Sequence, residues 1–181
     1  MKIKFYQTAI IGVVLMFFVQ VGTGCKGTIT DYDREKVRLD SLNEILTATA
    51  LALNVDEKEL QLRVATVNTW YVSLQDTAFD VAQKMQVEFN GFKVVYQNYI
   101  DLFFSYSSML KLHREQYAHL EERVKKQELT RDEFKTEFYR LKAEAEANFR
   151  NANLIAKPVY DLELSWRRYK KVMEDMGDKR R

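Results

Sequence analysis

Two histidines, one cysteine and a short run of serines are the side chains on which chemistry could rest in this 181-residue chain. His113 and His119 stand six residues apart. On a helix that spacing turns the second about 120° from the first, so one helix cannot aim both at a single metal ion. Glu115 and His119 are four apart and could share a face with Glu122. The Glu-x-x-His pair that di-iron bundles place on each of two helices does not occur. Both histidines therefore read as part of a solvated, charged helix end. The run Ser105-Tyr106-Ser107-Ser108-Met109 lacks the glycine-rich elbow that exposes a nucleophilic serine. The six glycines, at 12, 22, 24, 27, 91 and 177, are too scattered for a phosphate-cradling loop. In Lys142-Ala-Glu-Ala-Glu-Ala the carboxylates alternate with alanine as on a helix surface, without the burial that tunes a general acid. No catalytic residue, metal ligand or cofactor is expected.

Cys25 remains, and its surroundings are informative. Lys2 and Lys4 form a short positive start, Ala9 to Val19 is uncharged and mostly apolar, and Gly22, Thr23 and Gly24 are small. This is the three-part layout of a secretory signal peptide. The apolar run of 11 residues falls short of the roughly 20 that a spanning helix needs. Extended from Phe5 to Val21 it reaches 17, at the edge of the spanning range, and an uncleaved anchor is the alternative.

The stretch Gly22-Thr23-Gly24-Cys25 resembles the lipobox of bacterial lipoproteins, with Gly22 where that pattern usually has leucine. The resemblance covers residues 1–25 alone. It implies cleavage before Cys25, acylation of its thiol and anchoring to membrane lipid. A diacylglyceryl thiol needs no disulfide partner, which makes sense of a lone cysteine in an exported chain. Lys26 stands where some envelopes use aspartate for inner-membrane retention. By resemblance, the outer membrane is favoured over the inner. The division expected is a signal peptide over 1–24, the lipidated cysteine and a short tether over 25–32, and a helical bundle domain over 33–181.

The chain has 28 basic and 26 acidic side chains. Removing Lys2 and Lys4 leaves 26 of each, a balance that argues against nucleic acid as a partner. One proline, six glycines and 30% charged residues point to long helices with few turns. From Asp33 on, apolar residues recur at spacings of three and four. The first segment carries Leu39, Leu42 and Leu46 and ends near Asn54. Asp56 then reads as a helix cap with Glu59 as its capping-box partner, and Val55 and Leu60 as a hydrophobic staple. The second segment runs from Leu60 through Leu74 and Ala78 to Phe89. Thr130, Glu133, Leu129 and Phe134 repeat the capping device before the last helix, where Pro158 predicts a kink or a restart.

The fold class expected is all-α, an antiparallel bundle of three to four long helices. Asn90-Gly91 decides its form. A left-handed cap there makes a hairpin, the preferred reading. The alternative is one central helix of about 70 residues, from Glu57 to Gln127, flanked by two antiparallel helices in coiled-coil fashion.

Between Leu60 and Leu110 only seven charges occur in 51 residues, beside ten aromatics. Most of these rings read as core. Val72, Phe79, Ile100 and Phe104 lie off the apolar stripe and are candidates for a partner or ligand face. The basic residues Arg167, Arg168, Lys170 and Lys171 read as a solvated helix face. The function expected is a membrane-anchored, non-catalytic interaction or scaffold module of the cell envelope. Its partners would be membrane lipid through Cys25 and an envelope protein or further copies of the chain. A carrier of an apolar ligand or lipid is the first alternative, and an enzyme with an unrecognised site the second.

Overall fold

The structure, a computed structural model, describes residues 32–74 and 78–178. The signal-like segment and Cys25 lie outside the described residues. Five helices follow in order: α1 (Tyr32–Ala52), α2 (Glu57–Ser73), α3 (Phe79–Lys125), α4 (Arg131–Asp161) and α5 (Glu163–Asp178). They make an all-α bundle of three long arms. One arm is α1 with α2, the second is α3 alone, and the third is α4 with α5.

A few contacts fix the arrangement. The Tyr32 hydroxyl donates to Glu121 at 3.3 Å, which sets the start of α1 beside the end of α3. The Tyr99 hydroxyl donates to the Leu53 carbonyl at 3.1 Å, so α1 ends at the middle of α3. From there α2 covers the first half of α3, where the Tyr71 hydroxyl meets Asn90 Oδ1 at 2.6 Å and Lys93 meets Asn68 at 3.2 Å. Arg123 and Glu137, 2.7 Å apart, close the α3–α4 hairpin. Because α3 has 47 residues, the bundle is about 70 Å long at 1.5 Å per residue.

The hairpin expected at Asn90-Gly91 does not form. Both residues lie inside α3, and Gly91 has no positive φ. No capping side chain follows Gly91, and Phe89 and Phe92, both fully buried, hold the helix face in phase across it. A Cβ at Gly91 would meet nothing within 4 Å, so nothing but helix propensity opposes or favours a side chain there. The long-helix alternative is also corrected. The arm breaks between Leu74 and Ala78, leaving helices of 17 and 47 residues in place of one running from Glu57. Ala78 stands at the N-cap of α3 with no side-chain hydrogen bond, so no capping device marks this start as it does at Asp56 and Thr130.

Pro158 does not restart the helix, which was one of the two readings expected of it. The helix continues through it to Asp161 and turns only at Leu162. The Leu162 N–H donates to Pro158 O at 3.1 Å, and Trp166 N–H to Leu162 O at 2.8 Å, so α4 passes into α5 with almost no gap. The missing proline N–H removes the bond that Leu154 O would accept, on the outer side where Leu154 is exposed.

The caps largely follow their sequence signals. Thr130 accepts from Glu133 N–H at 3.3 Å, and Glu133 Oε2 accepts from Thr130 N–H at 2.8 Å, completing a capping box over the buried Leu129 and Phe134. Asp56 accepts from the N–H groups of Lys58 and Glu59. Glu59 does not return the bond as a capping-box partner; its carboxylate is taken by Arg63. At the end of α3, Gln127 N–H donates to Val124 O and Glu128 N–H to Arg123 O, both at 3.0 Å. That is a Schellman turn, built with Gln127 at φ 58° where glycine is the usual choice.

The core divides along the rod. Around α1, α4 and the second half of α3 it is mostly aliphatic, with Leu39, Leu42, Leu46, Leu120 and Leu141 buried. Around α2, α5 and the first half of α3 it is built from rings.

Candidate functional site

In the aromatic half, Trp70 stacks on Trp166 at 4.8 Å between ring centres. Phe92 meets Trp166 and Tyr169 edge to face at 5.8 and 5.9 Å. Edge-to-face and offset contacts put the positive ring edge against the negative face, adding about 0.5–1.5 kcal/mol per pair beyond burial. The rings touch one another and so fill the space between the three arms.

Arg63 ties this cluster to the two bends. Its guanidinium lies 5.2 Å from the Trp166 ring centre and 5.7 Å from that of Tyr96. It bonds Glu59 on its own helix and Glu163 at 2.7 Å, the first residue of α5. Burial works against the charge on Arg63, but the bonds from Glu163 and Glu59 outweigh it and hold the pKa above its ordinary value. Burial likewise opposes the charge on Glu163, and the bonds from Arg63 and Arg167 bring its pKa below the usual carboxylate range. The Tyr96 phenol is pushed up by burial, against the pull of the Arg63 charge. Burial also takes Tyr99 up to about 12. A cleft of about 320 Å³ opens beside Arg63, with Asp56, Glu59, Tyr160 and Glu163 on its rim. Arg63 was not singled out from the sequence. The signal was there, since it is the only charged residue between Leu60 and Gln75.

The histidines part company. His119 is exposed, as a solvated helix end requires, whereas His113 is buried at 3% exposure in the α3–α4 seam. Its Nε2 lies 4.0 Å from Glu144, and its Nδ1 has no hydrogen-bond partner. Asn148, also buried, donates to the Tyr106 carbonyl at 3.3 Å. Among the described residues no three His, Cys, Asp or Glu side chains converge as a metal-holding group.

The four residues marked as a partner face fall at two levels of the rod. Val72 and Phe79, 64% and 77% exposed, flank the α2–α3 connection at one end. Phe104 is 79% exposed on the outer side of α3, and Ile100 is partly buried against the core. Phe79 and Phe104 are separated by about 38 Å along the helix. Val87 and Val94 add exposed apolar surface between them. Of the ten aromatics between Leu60 and Leu110, Phe79 and Phe104 are the exposed large ones, and the other rings are wholly or partly in the core. No described helix is long and apolar enough to cross a membrane. No protein-family model, curated protein or solved structure matches the chain.

Proposed function

We propose that this protein is an exported, lipid-anchored lipoprotein whose helical rod serves as a non-catalytic interaction or scaffold module of the bacterial cell envelope. The observation that carries this reading is the position of Tyr32 at one end of the rod, beside Glu121 and Lys125. Cys25 lies seven residues before Tyr32, a separation that spans at most about 25 Å. An acyl group on Cys25 would hold the α3–α4 turn toward the bilayer. Val72 and Phe79 would then stand about 70 Å away at the far end, with Phe104 partway along. Interior volume goes to packed rings and aliphatic side chains, while large apolar residues such as Phe79 and Phe104 remain outside. That distribution favours contact with another macromolecule over enclosure of a small ligand. An outer-membrane position is the preferred one, with an envelope protein or further copies of the chain as partner.

Metabolic labelling with a fatty-acid analogue tests the anchor. Wild type should incorporate the label and fractionate with membranes, and Cys25→Ser should do neither. Equal labelling of both would sink the anchor. Photo-crosslinking from Phe79 and Phe104 in intact cells, against exposed positions on α4 as controls, then tests the face. A discrete adduct from the two apolar positions alone is expected; uniform or absent adducts would remove the scaffold reading.

A further inference from the structure

The α3–α4 seam holds a buried imidazole next to an ion pair that lies on the surface. Arg140 donates to both oxygens of Glu144, at 2.8 and 2.9 Å. Glu144 is also the carboxylate nearest His113, at 4.0 Å from Nε2. At that distance there is no hydrogen bond. The carboxylate is committed to Arg140, and His113 is left with an unpartnered Nδ1 inside the bundle. The charges that act on His113 are Glu144 and Arg140, both on α4.

We propose that His113, Glu144 and Arg140 form a proton-operated switch in this seam. When His113 takes a proton from solvent, the Glu144 carboxylate leaves Arg140 and closes on the imidazolium, and Arg140 turns to water. One N–H bond forms on the imidazole as hydronium gives up an O–H bond and becomes water, and the charge of the cluster rises by one. The movement is small. Glu144 and Arg140 are 43% and 53% exposed, so both can change rotamer without disturbing the core. The gap to be closed is about 1 Å, from 4.0 Å to hydrogen-bond length.

Burial, opposed by Glu144 and assisted by Arg140, lowers the His113 pKa below its ordinary value. The sign follows from linkage. The folded state takes up the proton less readily than the unfolded state, so stability is full above pH of about 6.5 and declines as pH falls below it. The decline ends once His113 is protonated in the fold, where the new pair with Glu144 limits the loss.

Histidine and arginine side-chain resonances, followed by NMR from pH 8 to 4.5 on the full chain in detergent micelles, give the test. Circular dichroism monitors folding, and the exposed His119 serves as reference. The Arg140 signals are expected to move with the same midpoint as His113. In Glu144→Gln the His113 midpoint should move to lower pH, and the Arg140 signals should no longer follow it. In Arg140→Ala the His113 midpoint should move to higher pH. Both variants are on the surface and should fold. An Arg140 signal that stays still while His113 titrates would overturn the switch. So would a His113 midpoint unchanged by Glu144→Gln, or a fold lost before His113 titrates.

Discussion

The two halves of the rod use different means to bury a similar length of helix. In the aliphatic half, α1 and α4 have 21 and 31 residues and present repeated leucines and alanines to α3. In the aromatic half, α2 and α5 have only 17 and 16 residues. Short helices offer few contacts, and isolated ones of this length are marginal in water. Large rings compensate, since each aromatic side chain buries about 150–250 Å². The lesson concerns composition. The surplus of rings between Leu60 and Leu110 is chiefly what two short helices need to hold the first half of α3, and only a remainder such as Phe79 and Phe104 is free for a partner.

That comparison can be broken at its centre. Phe92 is fully buried between Tyr96, Trp166 and Tyr169. Phe92→Ala is expected to cost about 3–5 kcal/mol in chemical denaturation. Leu42→Ala, fully buried in the aliphatic half, removes a smaller side chain and should cost less than Phe92→Ala within a range of about 2–5 kcal/mol. If Leu42 proved the costlier, the aromatic half would not be the more densely tied of the two.

Arg63→Ala tests the tie between the bends. It removes a charged hydrogen bond to Glu163 and the stacking over Trp166, and should cost about 2 kcal/mol. The loss should be reported by tryptophan fluorescence, because Trp70 and Trp166 both belong to that cluster. A stability change without a fluorescence change would place the effect elsewhere.

Gly91→Ala has a smaller effect of opposite sign. Within a helix, with open space at the Cβ position, alanine should stabilise by about 1 kcal/mol. Destabilisation by a similar amount is what a left-handed cap would give, and would restore the hairpin.

Much of this was legible in the chain. Three-four spacing gave the helices and the leucine stripe of α1. Asp56 and Thr130 marked two helix starts because a short polar side chain before an apolar run has a local mechanism. Asn90-Gly91 misled because its turn preference is local, while Phe89 and Phe92 hold the helix through contacts with α2 and α5 that spacing alone does not reveal. The break after Leu74 is illegible for another reason: the apolar phase runs on through Ala78, which starts α3 without a capping side chain. The burial of His113 was hidden, because burial of a polar side chain depends on which arm faces it. Of the candidate face, Val72, Phe79 and Phe104 could be picked out as off-stripe residues. Their distribution over two levels of the rod could not, since it follows from α3 being continuous.

Continuity of α3 is also what puts the Tyr32 end and the Phe79 end of the rod so far apart. A single distance measures it. Spin labels at Gln83 and Ser108, in a Cys25→Ser background that removes the chain's own cysteine, can be read by pulsed electron resonance. A continuous helix gives about 38 Å between the two backbone sites at 1.5 Å per residue. A turn at Asn90-Gly91 would bring them to about 20 Å, and a distribution centred there would contradict the rod and the reading built on it.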